Sequence, residues 1–180
     1  YKSFLHGART ELLFVAKAIK DVEAAGYKEW QPGVKIGAGD KYYVSNRGRG
    51  LSLIIGGKAS VSKGVRIVAS HVDSPRLELK GRPVYGKQGF AIFQTNFHGG
   101  LKTYQWTNQP LALVGRVDKK DGTTVEISVG LKEDDPIFMV PDLSPHVSRD
   151  QYKRSAQELI QYEELDPIVA SGPHGPDGQY

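Results

Sequence analysis

Residues 65–77 read Val65-Arg66-Ile67-Val68-Ala69-Ser70-His71-Val72-Asp73-Ser74-Pro75-Arg76-Leu77. The stretch 65–70 is apolar apart from Arg66 and the closing Ser70, and it ends at His71. Such a run fits a central strand covered on both faces, although its length alone also admits other readings. In an extended chain, residues i and i+2 point to the same side, so His71 and Asp73 project together from the end of that strand. Open α/β sheets place their sites at strand ends.

A metal takes a neutral imidazole nitrogen, and a carboxylate beside the ring fixes its orientation through the other nitrogen. The carboxylate could equally bridge or bind a metal itself. Against this stands the frequency of His-x-Asp by chance, most often as a surface hydrogen bond or with no role. A catalytic zinc usually takes three protein ligands and leaves one position for water. The chain has no His-Glu-x-x-His, no Gly-x-Ser-x-Gly and no second cluster at metal spacing. Glu163-Glu164 reads as a solvated pair at the exposed end of a helix. If His71 binds metal, its co-ligands lie outside these residues.

Working outward, Phe4, Ala8, Leu12, Val15, Ala16, Ile19 and Val22 recur at steps of three and four, which predicts one helix closed by Gly26. Residues 30–40 carry glycine and proline and read as a loop. Strands are expected at 41–47 and 51–55, joined by Arg47-Gly48-Arg49-Gly50. Beyond Pro83 the character changes. Strands are expected at 90–97, 111–118 and 123–129, the last two joined by Lys119-Lys120-Asp121-Gly122. A second helix is expected from Ser148, where Ser148 and Gln151 have capping-box spacing and Tyr152, Ala156, Leu159 and Ile160 form an apolar stripe. The tail from Ser171 reads as a loop. The expected fold is α/β: 1–81 opens an α/β layer, and 82–180 is a separate, mostly antiparallel β-rich domain.

Composition removes several classes. The 180 residues contain no cysteine, which excludes a disulfide framework, a thiolate metal site and a cysteine nucleophile. No apolar run approaches the ~20 residues that span a bilayer. No signal peptide is visible, and the expected location is the cytoplasm. The 24 lysines and arginines against 20 acids are scattered, without the block of like charge that marks a nucleic-acid-binding tail. The chain opens on Tyr1 without methionine, in keeping with an incomplete protein.

The other histidines read more plainly. His98 precedes Gly99-Gly100, a sharp turn that would expose the ring. His146 lies just ahead of the expected second helix, His174 in the tail and His6 on the first helix, all without a chemical partner in the sequence.

The segment Ala69-Ser70-His71-Val72-Asp73-Ser74-Pro75-Arg76-Leu77 resembles the aspartyl aminopeptidase and vacuolar aminopeptidase I family of zinc metallopeptidases. Three further blocks resemble that family in the same order. These are Ser45-Asn46-Arg47 between two strands; His98-Gly99-Gly100-Leu101 with Trp106 and the run from Leu111 to Val117; and Val140-Pro141-Asp142-Leu143-Ser144-Pro145-His146. Together they cover most of the chain.

The resemblance implies an α/β catalytic domain with an inserted β-rich oligomerisation domain. It implies two divalent ions, generally zinc, that act on peptide substrates at their N-terminal residue. By position His71 matches a metal ligand and Asp73 the carboxylate that orients it. The bridging aspartate, the glutamate base and the remaining ligands of the family follow the inserted domain, so this chain resembles an N-terminal portion that needs the C-terminal part of the enzyme. Relatives form homo-oligomers, dimers that build dodecamers, and in some a histidine of the insertion reaches a neighbouring active site. The matching stretch here, Lys102-Thr103-Tyr104-Gln105-Trp106, has no histidine. His98 and Lys102 are therefore the candidates for a trans-acting or substrate-contacting role. Two rivals remain open: a catalytically inactive assembly subunit that keeps the insertion, and a basic β-rich binding module.

Overall fold

The computed structural model describes residues 1–172. The chain falls into two compact units, Tyr1–Ser74 and Pro75–Tyr180. Among the described residues, no helix is long and apolar enough to cross a membrane.

The first unit opens with two helices where the periodicity predicts one. They are α1 (Lys2–Gly7) and α2 (Glu11–Ala24). The break lies at Thr10, whose backbone is extended and whose hydroxyl accepts the Leu13 N–H at 3.3 Å. An N-cap satisfies a donor that an uninterrupted helix would have paired internally, so Thr10 restarts the helix. Phe4 meets Phe14 edge-on at 5.3 Å, which brackets the kink. At the far end Gly26 takes φ +85°, the left-handed conformation expected there.

Three strands follow: β1 (Lys28–Glu29), β2 (Lys41–Asn46) and β3 (Gly50–Ile55), in the order β1-β2-β3. β1 runs parallel to β2, and β2 and β3 form an antiparallel hairpin. Arg47 and Gly48 both have positive φ, at 54° and 67°, and the Arg49 N–H reaches the Asn46 carbonyl at 3.0 Å. Two left-handed centres are what a type I′ hairpin turn needs, since its twist matches that of the strands. Val15 of α2 and Tyr43 of β2 are the buried large side chains of this unit.

Residues 65–70 do not form the expected central strand. Residues 64–75 carry no regular structure, and Val65, Ile67 and Val68 are 64%, 80% and 100% exposed. A strand draws its backbone hydrogen bonds from neighbours, and none of the described strands pairs with this run. The sequence pattern is that of a central strand, but the neighbours that would flank it are not in this sheet.

The second unit begins with β4 (Arg76–Lys87), which passes straight through Gly81–Pro83. The division between units thus lies at Ser74/Pro75 and not at 81/82. Gly81 and Pro83 mark an irregularity within one strand: the pairing jumps from Leu79↔Thr95 to Val84↔Phe93. Residues 80–83 then stand opposite Gln94 alone, and a bulge is where a sheet tolerates a residue without an N–H.

β4 pairs with β5 (Phe90–His98), which pairs with β8 (Ile168–Ser171), all antiparallel. A separate hairpin of β6 (Leu113–Asp118) and β7 (Thr124–Val129) follows the expected pattern. Leu111 stands ahead of it in a lone bridge to Phe138.

The expected second helix is absent. From Ser148 to Leu165 the chain forms only turns and short 3-10 segments, at Gln151–Lys153 and Tyr162–Glu164. The capping pair is otherwise engaged: the Ser148 hydroxyl turns to the Pro145 carbonyl, and the Gln151 amide donates to Asp142 Oδ1 at 2.9 Å. Ser, Asp and Asn side chains that find such local partners compete with helix formation. The apolar stripe splits too, with Ile160 in the core and Tyr152 outside.

The core is Val140, Ile160 and Leu165, with Leu77, Trp106 and Leu111 packed against it. Of the tail, Ser171 closes β8, and residues 173–180 lie outside the described residues.

Candidate metal centre

His71 and Asp73 lie in the irregular segment between β3 and β4. Pro75 disfavours helical backbone at Ser74, the residue that closes this segment. Asp73 Oδ1 stands 2.9 Å from His71 Nδ1. The His71 side chain is 85% exposed and that of Asp73 about half as much, at 44%.

A carboxylate at Nδ1 holds the proton on that nitrogen in the neutral ring, which turns the lone pair of Nε2 outward. One imidazole so oriented is a donor that suits zinc, which favours nitrogen ligands backed by an outer carboxylate. Among the described residues, no three or more His, Cys, Asp or Glu side chains gather where they could hold a metal ion. The His71–Asp73 pair presents one oriented imidazole nitrogen.

His98 ends β5 directly across from Arg76 of β4. Its Nδ1 lies 3.6 Å from Glu78 Oε1, the oxygen that also takes the Arg76 guanidinium at 2.5 Å. The turn after it is tight. Gly99 has φ +76°, and a β-carbon there would meet Pro75 at 3.4 Å. The Arg76–Glu78–His98 group was legible only through the i, i+2 alternation of Arg76 and Glu78, once β4 is known to be a strand. Lys102 is exposed and leads into a 3-10 turn, Thr103–Gln105.

His6 lies at the end of α1 beside Arg9, 3.1 Å from its guanidinium. His146 sits in an exposed turn, with no helix beginning there, and His174 lies outside the described residues.

Glu163-Glu164 is not a simple solvated pair. Glu164 receives the Arg154 guanidinium at 2.8 Å and the Gln161 N–H at 2.8 Å. Partial burial pushes its carboxyl up, but the Arg154 hydrogen bond and charge and the Gln161 amide outweigh this and hold it below the usual range. It closes a turn, the 3-10 segment Tyr162–Glu164.

Comparison with known proteins shows the family to which the chain belongs. Residues 4–173 match the family described as Aminopeptidase I zinc metalloprotease (M18), and the chain belongs to that family. A probable M18 family aminopeptidase 1 of Clostridium acetobutylicum is 38% identical over 177 residues, covering 96% of this chain and 38% of the relative. The crystal structure of an M18 aminopeptidase from Thermotoga maritima superposes with a TM-score of 0.88 at 30% identity, covering 97% of this chain and 38% of that one. The dodecameric mApe1 of S. cerevisiae shares the fold with a TM-score of 0.65 at 21% identity, over 98% of this chain and 49% of its own. The chain spans about 38% of the length of these curated relatives.

Proposed function

We propose that this chain is the N-terminal part of a zinc aminopeptidase that removes N-terminal residues from peptides, with His71 as a metal ligand and Asp73 as the carboxylate that orients it. The observation that carries the reading is the 2.9 Å approach of Asp73 Oδ1 to His71 Nδ1, which leaves Nε2 for the metal. Membership of the M18 family supports the reaction class.

The complete site is proposed to hold two divalent ions, with co-ligands from outside this chain. Bound metal supplies a water of lowered pKa and a Lewis acid for the scissile carbonyl. The chain's own part is narrower: Asp73 fixes the imidazole tautomer and aim, so that His71 meets the metal without reorganising.

The unit Tyr1–Ser74 is read as the start of the catalytic domain, and the unit from Pro75 as the inserted oligomerisation domain. The β-rich content of the described second unit, with only short 3-10 segments beside its strands, supports this, as does the dodecameric yeast structure, from which we infer dimers that build a larger homo-oligomer. His98 is the better candidate for a substrate-contacting or trans-acting group, because it is held at a strand end beside Glu78; Lys102 is the second.

The test is aminopeptidase activity of the complete assembly, with and without a chelator and with His71→Ala. Loss on chelation, recovery with zinc and loss in the variant are expected. Activity that survives chelation and the substitution together would remove the metal mechanism.

A further inference from the structure

The tip of the β6–β7 hairpin carries the dipeptide Asp121-Gly122, and both residues are exposed. Aspartate followed by glycine can rearrange without an enzyme, because glycine has no side chain to keep another group from its backbone. The Gly122 nitrogen attacks Asp121 Cγ and forms a new N–C bond. The Cγ–OH bond breaks, and water leaves with that hydroxyl and the amide proton. Water then reopens the cyclic imide. Attack at Cγ restores aspartate, and attack at the Asp121 main-chain carbonyl gives isoaspartate, with the chain running through the side-chain carbon. Mass is unchanged, and water is the only co-reactant.

The hairpin opposes this attack at both reacting groups. The Gly122 N–H donates to the Lys119 carbonyl at 3.0 Å, and the Lys119 N–H donates to the Thr123 carbonyl at 2.8 Å. Gly122 has φ +83°. These mark a type I turn closed by a left-handed glycine. Imide closure needs the Gly122 nitrogen rotated toward Asp121 Cβ, which breaks the turn. The carboxylate is also engaged. Asp121 Oδ1 accepts the Thr123 N–H at 2.9 Å and the Thr123 hydroxyl at 2.6 Å, so it is drawn past Gly122 to the next residue. The hydroxyl first, then the amide, hold the carboxyl below its ordinary value, with desolvation opposing. Bonds to the ionised form keep the carboxyl without the proton that its departing oxygen needs.

We infer that Asp121-Gly122 is a site of spontaneous isoaspartate formation and that Thr123 guards it, holding the carboxylate away from the Gly122 nitrogen while the hairpin is closed. Reaction then proceeds through the fraction of molecules in which the turn has opened. The product adds a carbon to the main chain inside a tight turn, so conversion loosens the Asp118↔Thr124 end of the hairpin.

The test incubates the intact chain at neutral pH and physiological temperature. Isoaspartate is quantified by peptide mapping with electron-transfer fragmentation, which separates it from aspartate of equal mass. Mapping also keeps Asp121 apart from the second Asp-Gly of the sequence, Asp177-Gly178, which lies outside the described residues. Asp121 should convert about 10–100-fold more slowly than in a synthetic peptide of residues 117–126, the range one hydrogen bond to a charged group covers. Thr123→Val keeps the shape and the N–H but loses the hydroxyl, and should recover much of that factor. Thr123→Ser should convert as the wild type does. Thr124→Val removes the neighbouring hydroxyl bond to Asp118 Oδ1, at 2.9 Å, and should leave the rate at Asp121 unchanged.

Amide exchange across β6 and β7 is read in each variant, so that acceleration with the hairpin still closed is assigned to the guard. A peptide that forms no isoaspartate would remove the site. Wild type converting at the peptide's rate would remove the protection. Equal acceleration in Thr124→Val, or acceleration only where exchange shows an open hairpin, would overturn the role of Thr123.

Discussion

The Tyr43 hydroxyl of β2 donates to Glu23 Oε1 of α2 at 2.7 Å, joining helix and sheet within the first unit. That hydrogen bond, then burial and the Glu23 charge, push the phenol up to about 12. A raised pKa favours the protonated form in the folded state. The stabilisation is thus complete below the ordinary tyrosine value and is lost as pH climbs from there through about 12. In a spectrophotometric titration, the highest-titrating tyrosine should vanish in Tyr43→Phe. The same variant should flatten the alkaline end of the stability profile.

Thr10 is expected to act as a true restart signal. Thr10→Ala should cost about 1 kcal/mol in denaturant unfolding, and Thr10→Ser much less, because the hydroxyl that meets the Leu13 N–H is kept. Equal losses in both variants would mean that the cap is not what separates α1 from α2.

Asp135 turns on three consecutive amides. Its Oδ2 accepts the N–H groups of Gly130, Leu131 and Lys132 at 3.0–3.1 Å. The Lys132 amide leads in holding the carboxyl below its ordinary value, with burial opposing and the other two amides adding. A depressed carboxyl contributes stability that is present above its unfolded value and is lost as pH falls through the folded one. NMR titration should find Asp135 among the lowest carboxyls, and Asp135→Asn should reduce acid sensitivity below about pH 4.

Leu165 anchors the second unit's core and is 1% exposed. Leu165→Ala should cost about 2–5 kcal/mol by transfer and cavity terms. The penalty should be much smaller at Leu143, which is exposed. A similar loss at both sites in thermal unfolding would place the core elsewhere.

The local features were the legible ones. Hairpins at Arg47-Gly48 and Lys119-Lys120-Asp121-Gly122 are written in turn residues, and Gly26 marks a helix end through its own backbone. The His71–Asp73 contact follows from i, i+2 geometry and needs nothing distant. What failed depended on tertiary partners. The run 65–70 has strand composition, but a strand exists only with neighbours. Ser148 and Gln151 have capping spacing, yet Pro145 and Asp142 take their side chains first. Gly81 and Pro83 read as a boundary because a four-residue bulge leaves the same punctuation as a linker. The Arg76–Glu78–His98 group needed the β4–β5 register, which sequence patterning does not provide.

The central claim is that His71 binds metal through an imidazole aimed by Asp73. Its most direct test is zinc stoichiometry and affinity of the complete assembly carrying His71→Ala or Asp73→Asn, measured by titration against a competing chelator. Loss of bound zinc is expected in His71→Ala and a 10–100-fold weaker affinity in Asp73→Asn, the usual effect of removing an orienting partner. Unchanged stoichiometry and affinity in both variants would contradict it.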